Sequence, residues 1–280
     1  MTYKTILAHC HDVRRVERLL QVAVPLARAV DGHLLGVAVI PPFVVVPAMD
    51  GAASSVTVED HRIAYAKDLA ALQGKFEDAT SERGALSEWR VVDASFGTAA
   101  DCIVEQGRCA DLVIVAQADS EWSSSALLED PERVVLSVGR PVLVVPNAGA
   151  AVAPPKRVSI AWNGRREAAR AVFDALPLLQ HAELVDVLGV NSGQDRASHG
   201  DLPAAEICAA LARHGVKCQS SEASAVSGDV GAELLRQAKA FGADMLVMGC
   251  YGHSRLREFV LGGASRYVLR NMHVSVLMSH

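Results

Sequence analysis

The sequence predicts an α/β protein made of two tandem doubly wound domains, each with a five-stranded parallel sheet in the order 3-2-1-4-5. Three observations predict it. Short apolar runs alternate with longer stretches of helical period along the chain. Most of the apolar runs are continuous, as strands buried on both faces require. The order of elements then restarts after residue 155. Alternating strands and helices imply a parallel sheet covered on both faces, and right-handed crossovers leave only doubly wound orders.

In order, Thr5 to His9 reads as the first strand, and Asp12 is placed to cap the helix that follows. Val13 to Val30 has helical spacing, with Pro25 inside it implying a kink. Leu34 to Ile40 is the second strand, stopped by Pro41-Pro42. Phe43 to Ser55 is a small-residue loop without a period, and Val56 to Thr80 returns to helix. Leu86 to Val92 is the third strand, and Phe96-Gly97-Thr98 opens a helix to Arg108. Asp111 to Ala116 is the fourth strand, Ser125 to Val138 a helix, and Val142 to Val145 the fifth strand.

Asn147 to Pro155 is small, uncharged and Pro-containing, so it reads as a linker between residues 1–147 and 155–280. Lys156-Arg-Val-Ser-Ile-Ala then repeats the pattern of Lys4-Thr-Ile-Leu-Ala-His. Helix is expected over Ala168–Leu179, strand over Leu184–Val190, helix over Pro203–His214 and strand over Val216–Ser220. Gly228-Asp-Val-Gly opens a helix to Phe241. Ala243-Asp-Met-Leu-Val-Met repeats Ala110-Asp-Leu-Val-Ile-Val, and Ser275-Val-Leu repeats Pro141-Val-Leu. In the flavodoxin-like, Rossmann-like order the switch point lies between the first and fourth strands, so Ile160-Ala161 and Val247-Met248 end side by side. Each half leaves an edge near its fifth strand, and edges tend to be covered or paired. The two halves are therefore expected to pack on each other.

Composition bounds the function. Of 280 residues, half are apolar and 21% charged, which suits a globular protein with a core in each half. A net charge of −5 gives no footprint for nucleic acid or an anionic membrane. No apolar run reaches the ~18 residues of a membrane span. The N-terminus lacks an apolar signal core, and the six cysteines form no Cys-x-x-Cys pair. A reducing compartment, the cytoplasm, is expected.

The chemistry concentrates in Asp244 to Ser265. A strand ends at Gly249, Gly252 follows, then nine residues, then Gly262, Gly263 and a helix through Ala264 and Ser265. A glycine at a strand's carboxyl end lets the backbone approach a phosphate. A helix starting at Gly262 or Gly263 aims free N–H groups and its positive dipole end at the same anion. Each glycine alone could serve only a turn. Together the spacing resembles the universal stress protein family's Gly-x-x-Gly-x9-Gly-(Ser/Thr) signature, with Gly263 in place of the hydroxyl residue.

The resemblance covers nearly the whole chain as a tandem pair and implies the same fold. It further implies ATP or a related adenine nucleotide, with room for Mg²⁺, held in the C-terminal half for a regulatory role. Trp162 and Asn163 stand where that family has the end of its first strand and the Asp that meets adenine. The alternative role of Asn163 is a helix N-cap, and that of Trp162, Val187 and Met248 is core. The backbones of Val187 and Met248 would lie near the base. His253, Ser254 and Arg255 fill the segment between the glycines, where Arg255 could pair with phosphates. In the first half the three glycines are replaced: Ala116 stands at Gly249, Asp119 at Gly252 and Leu128 or Glu129 near Gly262. Asp119, Glu121, Glu129 and Asp130 would repel a triphosphate there.

Other constellations are weaker. His9-Cys10-His11-Asp12 lacks the further ligands of a closed metal site. His253 and Ser254 are adjacent, which seldom gives the geometry of a nucleophile and its base. There is no P-loop and no Gly-x-Gly-x-x-Gly. Catalysis is not required, and slow ATP hydrolysis marks the upper limit. A ligand-free scaffold that dimerises or docks partners is the alternative function.

Overall fold

A computed structural model describes residues 2–42, 58–94, 97–122, 125–149, 151–191, 204–225, 229–250 and 263–280. The first half runs β1 (Thr5–His9), α1 (Val16–Ala29), β2 (His33–Ile40), α2 (Val58–Glu82) and β3 (Ser87–Asp93). It continues with α3 (Ala99–Gly107), β4 (Leu112–Ala116), α4 (Ser125–Leu128), α5 (Pro131–Ser137) and β5 (Val142–Val145). The second half runs β6 (Arg157–Trp162), α6 (Arg166–Asp174), α7 (Leu176–Leu179), β7 (Leu184–Asn191) and α8 (Ala204–Arg213). It ends with β8 (Cys218–Ser224), α9 (Val230–Phe241), β9 (Met245–Gly249), α10 (Gly263–Asn271) and β10 (Ser275–Ser279).

The strand order is β3-β2-β1-β4-β5-β10-β9-β6-β7-β8, one ten-stranded sheet. Within each half the strands are parallel and follow the expected 3-2-1-4-5 order. The halves join where β5 pairs antiparallel with β10, Leu143 opposite Leu277. Each half thus removes the other's exposed edge. Two core layers cover the faces, and each runs through both halves. Ile6, Leu26 and Phe76 share one layer with Ile160, Leu179 and Leu211. Leu7, Ile103 and Val144 share the other with Leu246, Val268 and Val276.

The duplication extends to single hydrogen bonds. The Asp111 carboxylate accepts the N–H groups of Lys4 and Thr5 at 2.7 and 2.9 Å, pinning β1 to the start of β4. The Asp244 carboxylate does the same for Lys156 at 3.0 Å and Arg157 at 3.2 Å, pinning β6 to β9. Both pairs of strand ends are thereby held level, which fixes the height of the switch-point crevice.

Three local expectations change. The helix expected over Ser125–Val138 is two helices. The Asp130 carboxylate accepts Arg133 N–H at 2.9 Å and Pro131 opens α5, so a new helix starts there. The helix expected over Ala168–Leu179 breaks at Ala175, with Pro177 in the first turn of α7. Asp12 does not cap α1, whose N-cap is Arg15. Its carboxylate instead accepts Arg14 N–H at 2.9 Å and takes both neighbouring guanidinium groups.

Candidate functional site

In the C-terminal half β6 and β9 lie side by side, with Ala161 opposite Met248, so the strand ends meet at the predicted crevice. The side chains at those ends do not line one wall. Trp162 and Val187 are buried in the layer that packs on α6, α7 and α8. Met248 is buried in the opposite layer with Val268 and Leu269. All three are core side chains.

Asn163 follows β6, and its Oδ1 accepts the Arg165 N–H at 3.1 Å. The residue that caps α6 is Arg165, without a side-chain cap bond. Asn163 therefore closes the turn before the helix rather than capping it. Behind that turn α6 crosses the end of β9 very closely. A Cβ at Gly249 would stand 2.3 Å from Glu167 C and 2.4 Å from Ala168 N. Gly249 is thus required by strand-to-helix packing. Glu167, in the first turn of α6, is buried; burial raises its pKa, but the hydrogen bond from Arg166 at 2.5 Å, a backbone N–H and the nearby positive charge together outweigh this and hold it low.

Gly252, His253, Ser254, Arg255 and Gly262 lie outside the described residues. The helix expected after them starts at Gly263, and its first turn contains Gly263, Ala264 and Ser265. The N–H groups of a first turn have no acceptor within their own helix. Among the described residues, no atom lies within 4 Å of the Gly263 Cβ position, and no positive φ is recorded there. The hydroxyl of Ser265 is already engaged. Ser265 is buried and hydrogen-bonds the Cys250 thiol, which burial pushes up to about 12 against that bond's lowering effect. The start of α10 is set by α9, whose Asp229 carboxylate accepts Ala232 N–H at 3.0 Å. At Gly231 a Cβ would lie 2.8 Å from Ala264 O, so α9 and α10 touch through backbone.

The equivalent place in the first half is filled. Glu129 occupies the position of Gly262 by count from the fourth strand, and its side chain is fully buried. One carboxylate oxygen takes His11 Nε2 at 2.7 Å and the Arg15 guanidinium. The other takes Ser125 Oγ at 2.6 Å and the Asp119 N–H at 2.7 Å. Asp119 is the counterpart of Gly252. Burial alone would raise the Glu129 pKa, yet these bonds, led by His11, hold it at about 2. Arg15 is fixed in turn by Asp12 at 2.6 Å and Asn147 at 2.6 Å. Arg14 and Arg15 both lie over the Trp122 ring, at 5.2 and 5.6 Å. The four acids expected to crowd this place do not act as a cluster. Asp130 caps α5 and Asp119 accepts Glu121 N–H at 3.0 Å, so only Glu129 enters. Sequence reading placed Glu129 here but missed its partners, because His11, Arg15, Asp119 and Ser125 come from separate segments.

Fold and site together define a tandem, doubly wound α/β protein in which an internal carboxylate fills the switch-point crevice of the first half. The sequence model described as "Universal stress protein family" matches residues 164–280. The universal stress protein Slr1230 of Synechocystis sp. is 25% identical over 181 residues, 63% of this chain; the match spans 60% of that relative's length. A solved universal stress protein from Archaeoglobus fulgidus aligns over 98% of this chain and 95% of its own, with a TM-score of 0.72 and 14% identity. A solved protein of unknown function from Pseudomonas aeruginosa aligns over 99% and 92%, with a TM-score of 0.59 and 16% identity. At such identities the structural likeness shows the fold alone. What the comparisons show is a universal stress protein match over residues 164–280 and the fold of such proteins over the whole chain.

Proposed function

We propose that the C-terminal half binds ATP or a related adenine nucleotide at the ends of β6 and β9, as a regulatory ligand rather than a metabolic substrate. The observation that carries this reading is the start of α10 at Gly263, whose first-turn N–H groups have no acceptor within their own helix, where the glycine spacing calls for phosphate. Those N–H groups, Gly263 to Ser265, would hold the terminal phosphates. Asn163, through its amide N–H, and the backbones of Val187 and Met248 would meet the base. Gly252, Gly262 and Arg255 are proposed to complete the cradle. A bound Mg²⁺ would neutralise phosphate charge. Residues 1–147 and 155–280 are read as the two domains, only the second of which takes nucleotide.

Two observations favour a second reading, a ligand-free scaffold of the same fold. The Asn163 Oδ1 is engaged by Arg165, and the Ser265 hydroxyl by Cys250. Titration calorimetry with ATP and Mg²⁺ separates the readings. One site per chain is expected. Two equivalent sites would refute the asymmetry between halves, and no heat at millimolar ATP would leave the scaffold.

A further inference from the structure

We propose that Cys208 and Cys218 form a dithiol modification site, which closes to a disulfide by exchange with a low-molecular-weight disulfide. The two residues sit on different elements, Cys208 within α8 and Cys218 at the first position of β8. They interlock. The Cys218 thiol donates to Cys208 O at 3.2 Å, and the Cys208 thiol donates to Gln219 O at 3.4 Å. Both residues are half-buried, so a small reagent can reach the pair. The other cysteines differ: Cys10, Cys102 and Cys250 are buried, and Cys109 is exposed in the other half. Side chains already in contact across α8 and β8 need only a small approach to reach disulfide geometry.

The exchange balances in two steps. A Cys218 thiolate attacks one sulfur of the small disulfide; that S–S bond breaks, and one small thiolate leaves and takes up a proton. Cys208 then gives up its proton and attacks the Cys218 sulfur, expelling the second small thiol. Two electrons pass from the cysteines to the small disulfide. Cys208 is the resolving partner, because burial and the neighbouring Cys218 hold its thiol well above the ordinary range. The product clips α8 to β8, the outermost strand of the sheet. It closes a short loop and so restricts the unfolded chain.

The test incubates the full chain with millimolar oxidised glutathione at pH 8 and maps the cysteines by mass spectrometry. The unmutated chain is expected to lose two hydrogens, with a Cys208–Cys218 cross-linked peptide and a raised thermal midpoint that dithiothreitol reverses. In Cys208→Ser a stable glutathione adduct should accumulate on Cys218. Three results would overturn the proposal: a lasting glutathione adduct on Cys218 in the unmutated chain, a cross-link to Cys109 or to a second chain instead, or two unchanged thiols. The unmutated chain decides the matter even if the variant fails to fold.

Discussion

The crevice of the first half and that of the second are built on the same pinned strands, yet they treat negative charge in opposite ways. In the first, Glu129 supplies a carboxylate, and His11, Arg15, Ser125 and the Asp119 N–H all point at it. In the second, glycines stand in the sequence at the positions of Ala116, Asp119 and Glu129. The helices differ accordingly. At Ala116 the fold accommodates a Cβ, whereas at Gly249 the backbone of α6 leaves no room for one. The difference teaches that one scaffold can supply an anion to its crevice from within, as the first half does with Glu129.

The strongest way to break this comparison is to remove the internal anion. Glu129→Ala takes the buried carboxylate from His11 and Arg15, leaving Arg15 only Asp12, Asn147 and the Gln117 carbonyl, and about 3–5 kcal/mol of stability should be lost in denaturant titration. If the position is a true anion site, millimolar inorganic phosphate should restore part of that stability. At ten times its dissociation constant the gain would be about 1.4 kcal/mol, absent in the unmutated chain. Equal stability of variant and parent would show that the network contributes nothing.

Gly249→Ala should cost about 2–3 kcal/mol, since backbone of α6 must move to admit the methyl group. The mirror change, Ala116→Gly, should cost only about 0.5–1 kcal/mol through chain entropy. Thermal melts of the two variants therefore test whether the closer helix crossing belongs to the second half alone. Similar losses would erase that distinction.

Acid should act on the first half in two windows. His9 is fully buried, and that burial, helped by the nearby His11, lowers its pKa well below 6.5. A base that stays neutral when folded but protonates when unfolded contributes stability above pH 6.5 that fades as pH falls below it. Glu129 has a depressed carboxyl pKa, so its contribution is complete above the ordinary 4.5 and is lost as pH falls toward about 2. Glu129→Gln should flatten the lower window and leave the upper one. An unchanged acid profile would mean that the carboxylate is not ionised in the folded chain.

The smallest effect sharpens the second half. Gly263 has no positive φ and no neighbour within 4 Å of its Cβ position among the described residues, so Gly263→Ser should bring little strain. One added hydrogen bond to a charged phosphate oxygen would contribute about 1.5 kcal/mol, roughly tenfold in ATP affinity by calorimetry. An unchanged dissociation constant would place the phosphates away from the start of α10.

The sequence by itself determined the alternation of strands and helices, the duplication and the 3-2-1-4-5 order in each half. Continuous apolar runs such as Leu112–Val115 and Met245–Met248 can only be strands buried on both faces, and parallel crossovers admit few orders. It also marked the start of α10, since glycine spacing is a local signal. Helix ends were less legible where a cap competed with the apolar period, as at Asp130-Pro131 and at Asp12. Tertiary structure alone decided how the halves join, because Val142–Val145 and Ser275–Ser279 carry no mark of an antiparallel partner. It alone assembled His11, Arg15, Asp119 and Ser125 around Glu129, gave Gly249 its packing role, and brought Cys208 to Cys218. Such contacts depend on where separate segments meet in space, and linear spacing does not encode that distance.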